Sequence, residues 1–260
     1  MMNVITLTKV SAAPWGPLLL QDINFSVDAG EILGIIGPNG AGKSSLLHLM
    51  AGGIATTRGE ITLLGKPVSS WPAEDKARAM SMLPQQSTLN FPYRVDEVIQ
   101  LGRSPHASGA NTDRSILQEL MELTDTLQMA DRLYTQLSGG EKQRVQLARV
   151  LAQVWRKEDA PGRLLLLDEP SNGLDLAHQK LVLGLIRDLA ATGCAVALVV
   201  HDFNLLADIA DRIIVLDQGK QVQLGTSENV FTPETFENVF GVKVHIGQHP
   251  VSGKPLVVQL

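Results

Sequence analysis

The chain has 260 residues, 27 acidic against 22 basic side chains for a formal net charge of −5, and 44% hydrophobic residues. That length suits one large domain or two subdomains with a substantial core, while the charge and the absence of a long basic cluster give no general attraction to nucleic acid. A run of about 18 apolar residues is missing, the start MMNVITLTKV lacks the basic and apolar regions of a signal peptide, and the lone Cys194, in ATGCAVALVV, excludes an internal disulfide and reads as a buried thiol.

In chain order, NVITLTKV and QDINFSV alternate apolar and polar residues as antiparallel strands do, and GEITLLG repeats the pattern further on. Between them EILGIIG reads as a buried strand. It runs into GPNGAGKS, Gly37 to Ser44, and then into KSSLLHLMAG, which has apolar positions at helical spacing. A strand that must turn sharply into a helix explains the glycines: Gly37, Gly40 and Gly42 permit backbone conformations and close approaches that a Cβ forbids, so that successive N–H groups surround a β-phosphate at the positive end of the helix dipole. Lys43 supplies a point charge, Ser44 places a hydroxyl for Mg²⁺, and Ser45 reaches toward an α-phosphate. The segment therefore predicts a grip on a nucleoside triphosphate.

An apolar strand, Met80 to Leu83, precedes Gln85 and Gln86. From Gln85 to about Trp155 the pattern is helical, with helices predicted over VDEVIQLG and DRSILQELMELTDTLQM and a loop over PHASGANT. In LSGGEKQR, Leu137 to Arg144, Ser138 is a good N-cap, Gly139 and Gly140 leave amides bare, and Glu141 opens a helix through Arg149, which makes a second anion site. WRKEDAPGR reads as a polar surface loop. RLLLLDEP is a buried strand ending in Asp168 and Glu169, and acids at the carboxyl end of an open α/β sheet lie where such sheets place ligands. Neighbouring strand residues point to opposite faces, so the two acids serve different tasks unless the chain turns there. ALVVHD, FNLLADIA and RIIVLDQGKQVQLG follow as strand, short helix and two strands around Gln218–Gly219, and Ser227 to Leu260 continues as helix and short strands. With parallel strands ending at Gly37, Leu83, Leu167 and Val200, the sheet is expected to be mixed.

With GPNGAGKS upstream, LSGGEKQR makes the chain resemble the ATP-binding cassette (ABC) ATPases over nearly its whole length. The resemblance implies an α/β fold: a single ABC ATPase domain over residues 1–260, with a RecA-like mixed-sheet core and antiparallel β part in about 1–85 and 156–260, and a helical subdomain in about 86–155. It implies ATP held by Gly37, Pro38, Asn39, Gly40, Ala41, Gly42, Lys43, Ser44 and Ser45, with Trp15 standing where a tyrosine usually stacks on adenine. Mg²⁺ would be met by Ser44, Asp168 and Gln85, although the adjacent Gln86 leaves that last choice open. Glu169 would be the general base and His201 the switch histidine, whereas His48, His106, His178, His245 and His249 receive no ligand role. Leu137, Ser138, Gly139, Gly140 and Glu141 would meet the ATP of a second copy in a head-to-tail dimer. Ser171, Asn172, Gly173, Leu174 and Asp175 would form the loop touching that copy, with Gly173 in place of a frequent alanine.

Among these ATPases the chain lacks the second cassette or long coiled-coil insert of soluble remodelling types and the fused membrane helices of exporters, so an importer subunit is expected. Leu89 to His106, Leu137 to Trp155 and the tail from Gly241 to Leu260 look most like the ATPases of iron-siderophore, cobalamin and heme importers, hemin systems above all. The resemblance implies two copies of this subunit, two permease subunits and a periplasmic substrate-binding protein. It places the chain as a peripheral protein on the cytoplasmic face of the inner membrane. Gln85 to Arg103 would receive the permease's coupling helix, and a ferric siderophore or cobalamin is the alternative cargo.

Overall fold

The computed structural model describes residues 2–14, 16–85 and 89–260. The first half contains β1 (Asn3–Ala12), β2 (Leu20–Asp28), β3 (Ile32–Ile36), α1 (Lys43–Met50), β4 (Arg58–Leu63), β5 (Lys66–Pro67), α2 (Ala73–Ala79), β6 (Met80–Leu83), α3 (Val95–Gln100) and α4 (Ala110–Leu123). The second contains α5 (Gly139–Val154), β7 (Arg163–Asp168), α6 (Leu176–Ala191), β8 (Cys194–Val199), α7 (Phe203–Ile209), β9 (Arg212–Asp217), β10 (Lys220–Gly225), β11 (Val244–Gln248) and β12 (Pro255–Gln259).

A mixed sheet in the order β5-β4-β1-β2-β10-β9-β3-β8-β7-β6 joins all but the last two strands, which form a separate hairpin. As the alternating patterns require, β1 is antiparallel to both β2 and β4, while β6, β7, β8, β3 and β9 run parallel. Every residue of β3, β7 and β8 is buried, as expected of parallel strands covered on both faces. Alternation then divides the core. Leu33, Ile35, Leu164, Leu166, Ala195 and Ala197 pack with Leu46, Leu47 and Leu49 of α1, whereas Leu165, Leu167, Val196 and Leu198 pack toward α5 and α6. Each fully buried Leu or Ile contributes roughly 2 kcal/mol of transfer free energy, so both faces drive sheet formation.

Register sets the site. Ile35 pairs with Val199, and Val199 pairs with Asp168, so the carboxyl ends of β3, β8 and β7 finish level. Gly37 and Glu169 follow those ends immediately, and His201 stands two residues past the end of β8. On the flank, Leu83 pairs with Leu167, which brings Gln85 alongside Glu169.

The helical region differs from its sequence reading in three places. The helix expected to continue through Met129 ends at Leu123: Thr124 Oγ1 donates to Leu120 O over 2.7 Å and Asp125 sits at φ +53°, so a side chain competes for the backbone carbonyl and a left-handed residue stops the helix. PHASGANT is a loop only as far as Gly109, since Ala110 begins α4. The signature helix continues five residues past Arg149 to Val154 because its apolar positions stay buried.

WRKEDAPGR is not simply a surface loop. Arg163 is buried, donating to Val154 O, Trp155 O and Thr192 O, and Asp159 pairs at 2.7 Å with Arg103, which is 3% exposed. Arg103 also meets Asp113 at 2.9 Å and Ala152 O at 2.8 Å, bolting the α3–α4 connection to the end of α5. Burying a guanidinium is tolerable because carboxylates and carbonyls satisfy it on several sides. Cys194 is buried as expected, and burial pushes its thiol up to about 12.

Candidate functional site

The phosphate loop closes on a residue that must be glycine. Gly42 has φ +100°, and a Cβ there would stand 2.9 Å from Leu20 Cδ2. Directly after it α1 starts at Lys43, and its first turn carries no acid to compete with an incoming anion. The Lys43 ammonium donates to Gly37 O at 2.8 Å and Pro38 O at 3.0 Å. Burial lowers its pKa, opposed by the carboxylates of Glu169 and Asp168. Among the described residues Lys43 forms no salt bridge within 4.0 Å, so a half-buried cation at a helix N-terminus is left to an external anion.

Asp168 ends β7 only 1% exposed, and among the described residues neither carboxylate oxygen has a hydrogen-bond partner. Burial pushes its carboxyl above the ordinary range, and the neighbouring Glu169 charge pushes it the same way. Two orphaned buried oxygens are costly unless a cation satisfies them. Asp168 and Ser44 therefore fit a hard divalent ion such as Mg²⁺, which takes oxygen donors.

Glu169 turns away from this pair. Its φ of +54° is left-handed, a conformation costing a non-glycine residue roughly 1–3 kcal/mol and concentrated at functional sites. The two adjacent acids thus escape the strand rule by a turn, Glu-Pro-Ser-Asn, closed when Asn172 N–H donates to Glu169 O over 3.1 Å. The Glu169 carboxylate, 8% exposed, gathers side chains from distant segments. Oε1 accepts from Gln85 Nε2 at 2.8 Å and from His201 Nε2 at 2.7 Å, while Oε2 accepts from Asn172 Nδ2 at 3.0 Å. Behind the turn, Gln143 Nε2 of α5 donates to Glu169 O and Pro170 O, each at 3.2 Å.

The signature segment is separate. Ser138 caps α5, its Oγ accepting from Glu141 N at 3.4 Å while Ser138 N–H donates to Glu141 Oε2 at 2.7 Å. Leu137 is buried beneath it, and Arg132 holds the other Glu141 oxygen at 2.9 Å. Among the described residues no hydrogen bond joins this cap to the Lys43 loop. In the loop after Pro170, Leu174 is buried and Gly173 takes φ +71°, so the glycine standing for a frequent alanine suits a left-handed position. Asp175 caps α6 through His178 N–H at 2.9 Å.

Gly37 to Ser45, Gln85, Asp168, Glu169 and His201 therefore gather at the carboxyl ends of the strands, and Leu137 to Glu141 form a second, distinct helix start. Trp15 and Gln86 lie outside the described residues. Sequence reasoning missed Gln143 as a backbone clamp and Asn172 as a donor to Glu169. It also missed His178, whose ring stands 2.9 Å from Asp175 and 3.2 Å from Asp125 and so links two loops. The contact of His178 with Asp125 and those of Gln143 depend on long-range packing, but the turn-forming Pro170 after DE was a local signal that Asn172 folds back.

A phosphate loop, a paired-acid strand end, a histidine at the next strand and a capped LSGGE helix define an ABC-type nucleotide-binding subunit. Residues 20–172 match the ABC transporter family, and the chain belongs to it. It is 47% identical over 247 residues, 94% of this chain and 90% of the relative, to the hemin import ATP-binding protein HmuV of Gloeobacter violaceus. It is also 41% identical over 255 residues, 98% and 99% of the two chains, to the protein of the same name from Pseudomonas aeruginosa. Among solved structures, a transporter described as of the metal-chelate ABC type, in an inward-facing conformation, superposes with a TM-score of 0.80 at 27% identity, covering 99% of this chain and 98% of that one. An ATP-binding subunit of an ABC transporter shares the fold with a TM-score of 0.79 at 23% identity, covering 87% and 91%.

Proposed function

We propose that this chain is the ATP-hydrolysing subunit that powers import of hemin across a membrane. The observation that carries the reading is the gathering of Gln85 and His201 on Glu169, beside Asp168 and the Lys43 loop, in a chain 47% identical to a hemin import ATP-binding protein.

In this reading Gly37, Pro38, Asn39, Gly40, Ala41 and Gly42 cradle the phosphates with backbone amides, Lys43 adds its charge, Ser45 meets the α-phosphate side, and Trp15 stacks on adenine. Ser44, Asp168 and Gln85 would hold Mg²⁺, Gln85 being the residue whose amide nitrogen also donates to Glu169. Mg²⁺ supplies charge neutralisation at the phosphate oxygens when bound. Glu169 takes a proton from the attacking water, and His201 orients that carboxylate and the γ-phosphate.

Two copies act together. Ser138, Gly139 and Gly140 offer a second helix start that the Lys43 loop of the same chain does not reach, so each ATP is shared between Lys43 of one copy and Ser138 of the other, with Ser171 to Asp175 against the partner. Residues 1–85 and 156–260 form the nucleotide core, and about 86–155 the helical subdomain. Phe91 is 66% exposed and Tyr93 41%, with ring centroids 6.2 Å apart, and such paired exposed aromatics suit a partner surface, here the coupling helix of a permease. Among the described residues no helix is long and apolar enough to cross a membrane. In this reading the subunit associates peripherally, through that permease, and a periplasmic binding protein delivers the cargo.

The test is reconstitution of the chain with its own permease and binding protein in vesicles. Hemin on the binding side is expected to raise ATP turnover and to cross in an ATP-dependent way. Transport of a ferric siderophore or cobalamin with hemin inert would keep the ATPase and overturn the cargo.

A further inference from the structure

Resting on the reading of Glu169 as the base, we infer that Asn172 is a positioning residue that selects which carboxylate oxygen receives the proton from water. An ionised carboxylate only accepts hydrogen bonds, with two lone-pair directions on each oxygen, so His201 Nε2 must carry the hydrogen it shares with Glu169. Both directions on Oε1 are then taken, by Gln85 Nε2 at 2.8 Å and His201 Nε2 at 2.7 Å. Oε2 holds one donor, Asn172 Nδ2 at 3.0 Å, and keeps one lone pair open. That lone pair is the proton acceptor.

The backbone enforces the arrangement. Asn172 N–H closes the turn onto Glu169 O at 3.1 Å, which fixes the Asn172 Cα against the residue its side chain must reach. Glu169 itself is held at φ +54° with its N–H on Val199 O at 3.1 Å, so the carboxylate stem is anchored to β8. Without Asn172 the carboxylate keeps Oε1 pinned and gains freedom to rotate Oε2 about that pivot. Asn172 makes no hydrogen bond to the Lys43 loop among the described residues, so a loss that acts through Glu169 is expected in the chemical step and not in nucleotide binding.

Steady-state kinetics on the full chain separate this from a role in loop shape. Asn172→Ala is expected to lower kcat about tenfold with KM for ATP within twofold, the size of a lost hydrogen bond to a charged group. Asn172→Asp preserves size and turn propensity but sets a carboxylate against a carboxylate, so it is expected to fall below the alanine variant. In a Glu169→Gln background neither change is expected to alter the residual rate by more than twofold. Activity of Asn172→Asp equal to or above that of Asn172→Ala, or a loss confined to KM, overturns the assignment. So does an effect of equal size in the Glu169→Gln background. If Glu169→Gln itself turns over ATP like the wild type, the base reading fails first; if that variant is inactive and the Asn172 variants are silent, the positioning role alone fails.

Discussion

The side-chain amide of Gln85 donates to Oε1 of Glu169 over 2.8 Å, joining residues 84 positions apart. The contact follows from β6–β7 register, because Gln85 and Glu169 each stand two positions beyond the paired Leu83 and Leu167. A residue at the entrance to the helical region is therefore in direct touch with the carboxylate proposed as the general base.

Glu169→Gln keeps the shape of that carboxylate and removes its basicity. Hydrolysis is expected to fall roughly 10²–10⁴-fold, the usual size of general-base loss, while ATP binding survives. Turnover within about threefold of wild type would dismiss the residue from the role.

Lys43→Ala acts earlier. It removes the half-buried ammonium that lies on Gly37 O and Pro38 O, so nucleotide affinity itself should drop. Titration with a fluorescent ATP analogue reads this directly, and an unchanged Kd would contradict it.

Sedimentation tests the shared site. The isolated chain is expected to be mostly monomeric without nucleotide, and the Glu169→Gln variant to dimerise with ATP. A monomer at saturating ATP, both alone and with the permease present, would refute the sandwich.

Acid should unpick the Arg103 cluster. Burial works to raise the Asp113 pKa, but the hydroxyl of Ser108 and the guanidinium of Arg103 outweigh it and hold the carboxyl below its usual range. The stability it contributes is therefore complete above the unfolded value of about 3.9 and is lost as pH falls through the lower folded value. Because solvent screens the outer side of this carboxylate, Asp113→Asn is expected to cost about 1 kcal/mol at neutral pH, with a difference from wild type that shrinks below about pH 4. Urea unfolding at both pH values checks it; a constant difference would remove the charge from the account.

Exchanging Phe91 and Tyr93 for alanine is expected to reduce hemin-stimulated ATP turnover several-fold in vesicles and to leave the isolated subunit's turnover and the choice of cargo unchanged. Equal losses in both preparations would mean that the pair supports the fold and not the coupling.

The legible parts of the molecule were those written locally. GPNGAGKS, LSGGE and RLLLLDEP each combine an apolar period with glycine, a cap or a proline, and each lies where its pattern implied. What escaped was settled between segments. Asp125 stops a helix whose apolar spacing continues past it, because Thr124 turns its hydroxyl back to Leu120 O. Arg103 and Asp159 look like solvated charges one by one and become a buried pair only when α5 brings them together. Asn172 sat in a segment read for its partner-facing role, and its bond to Glu169 required knowing that Glu169 would take a left-handed turn.

Both polar groups of the Asn204 amide are spent on the final strand, Oδ1 accepting from Val257 N at 2.8 Å and Nδ2 donating to Val257 O at 3.2 Å. Asp202 caps the same helix, its carboxylate accepting from Asn204 N at 2.8 Å, and His201 comes just before it. Peeling β12 away would therefore strip that amide of its partners three positions from the histidine, tying the seating of the last strand to the stretch of chain that carries His201.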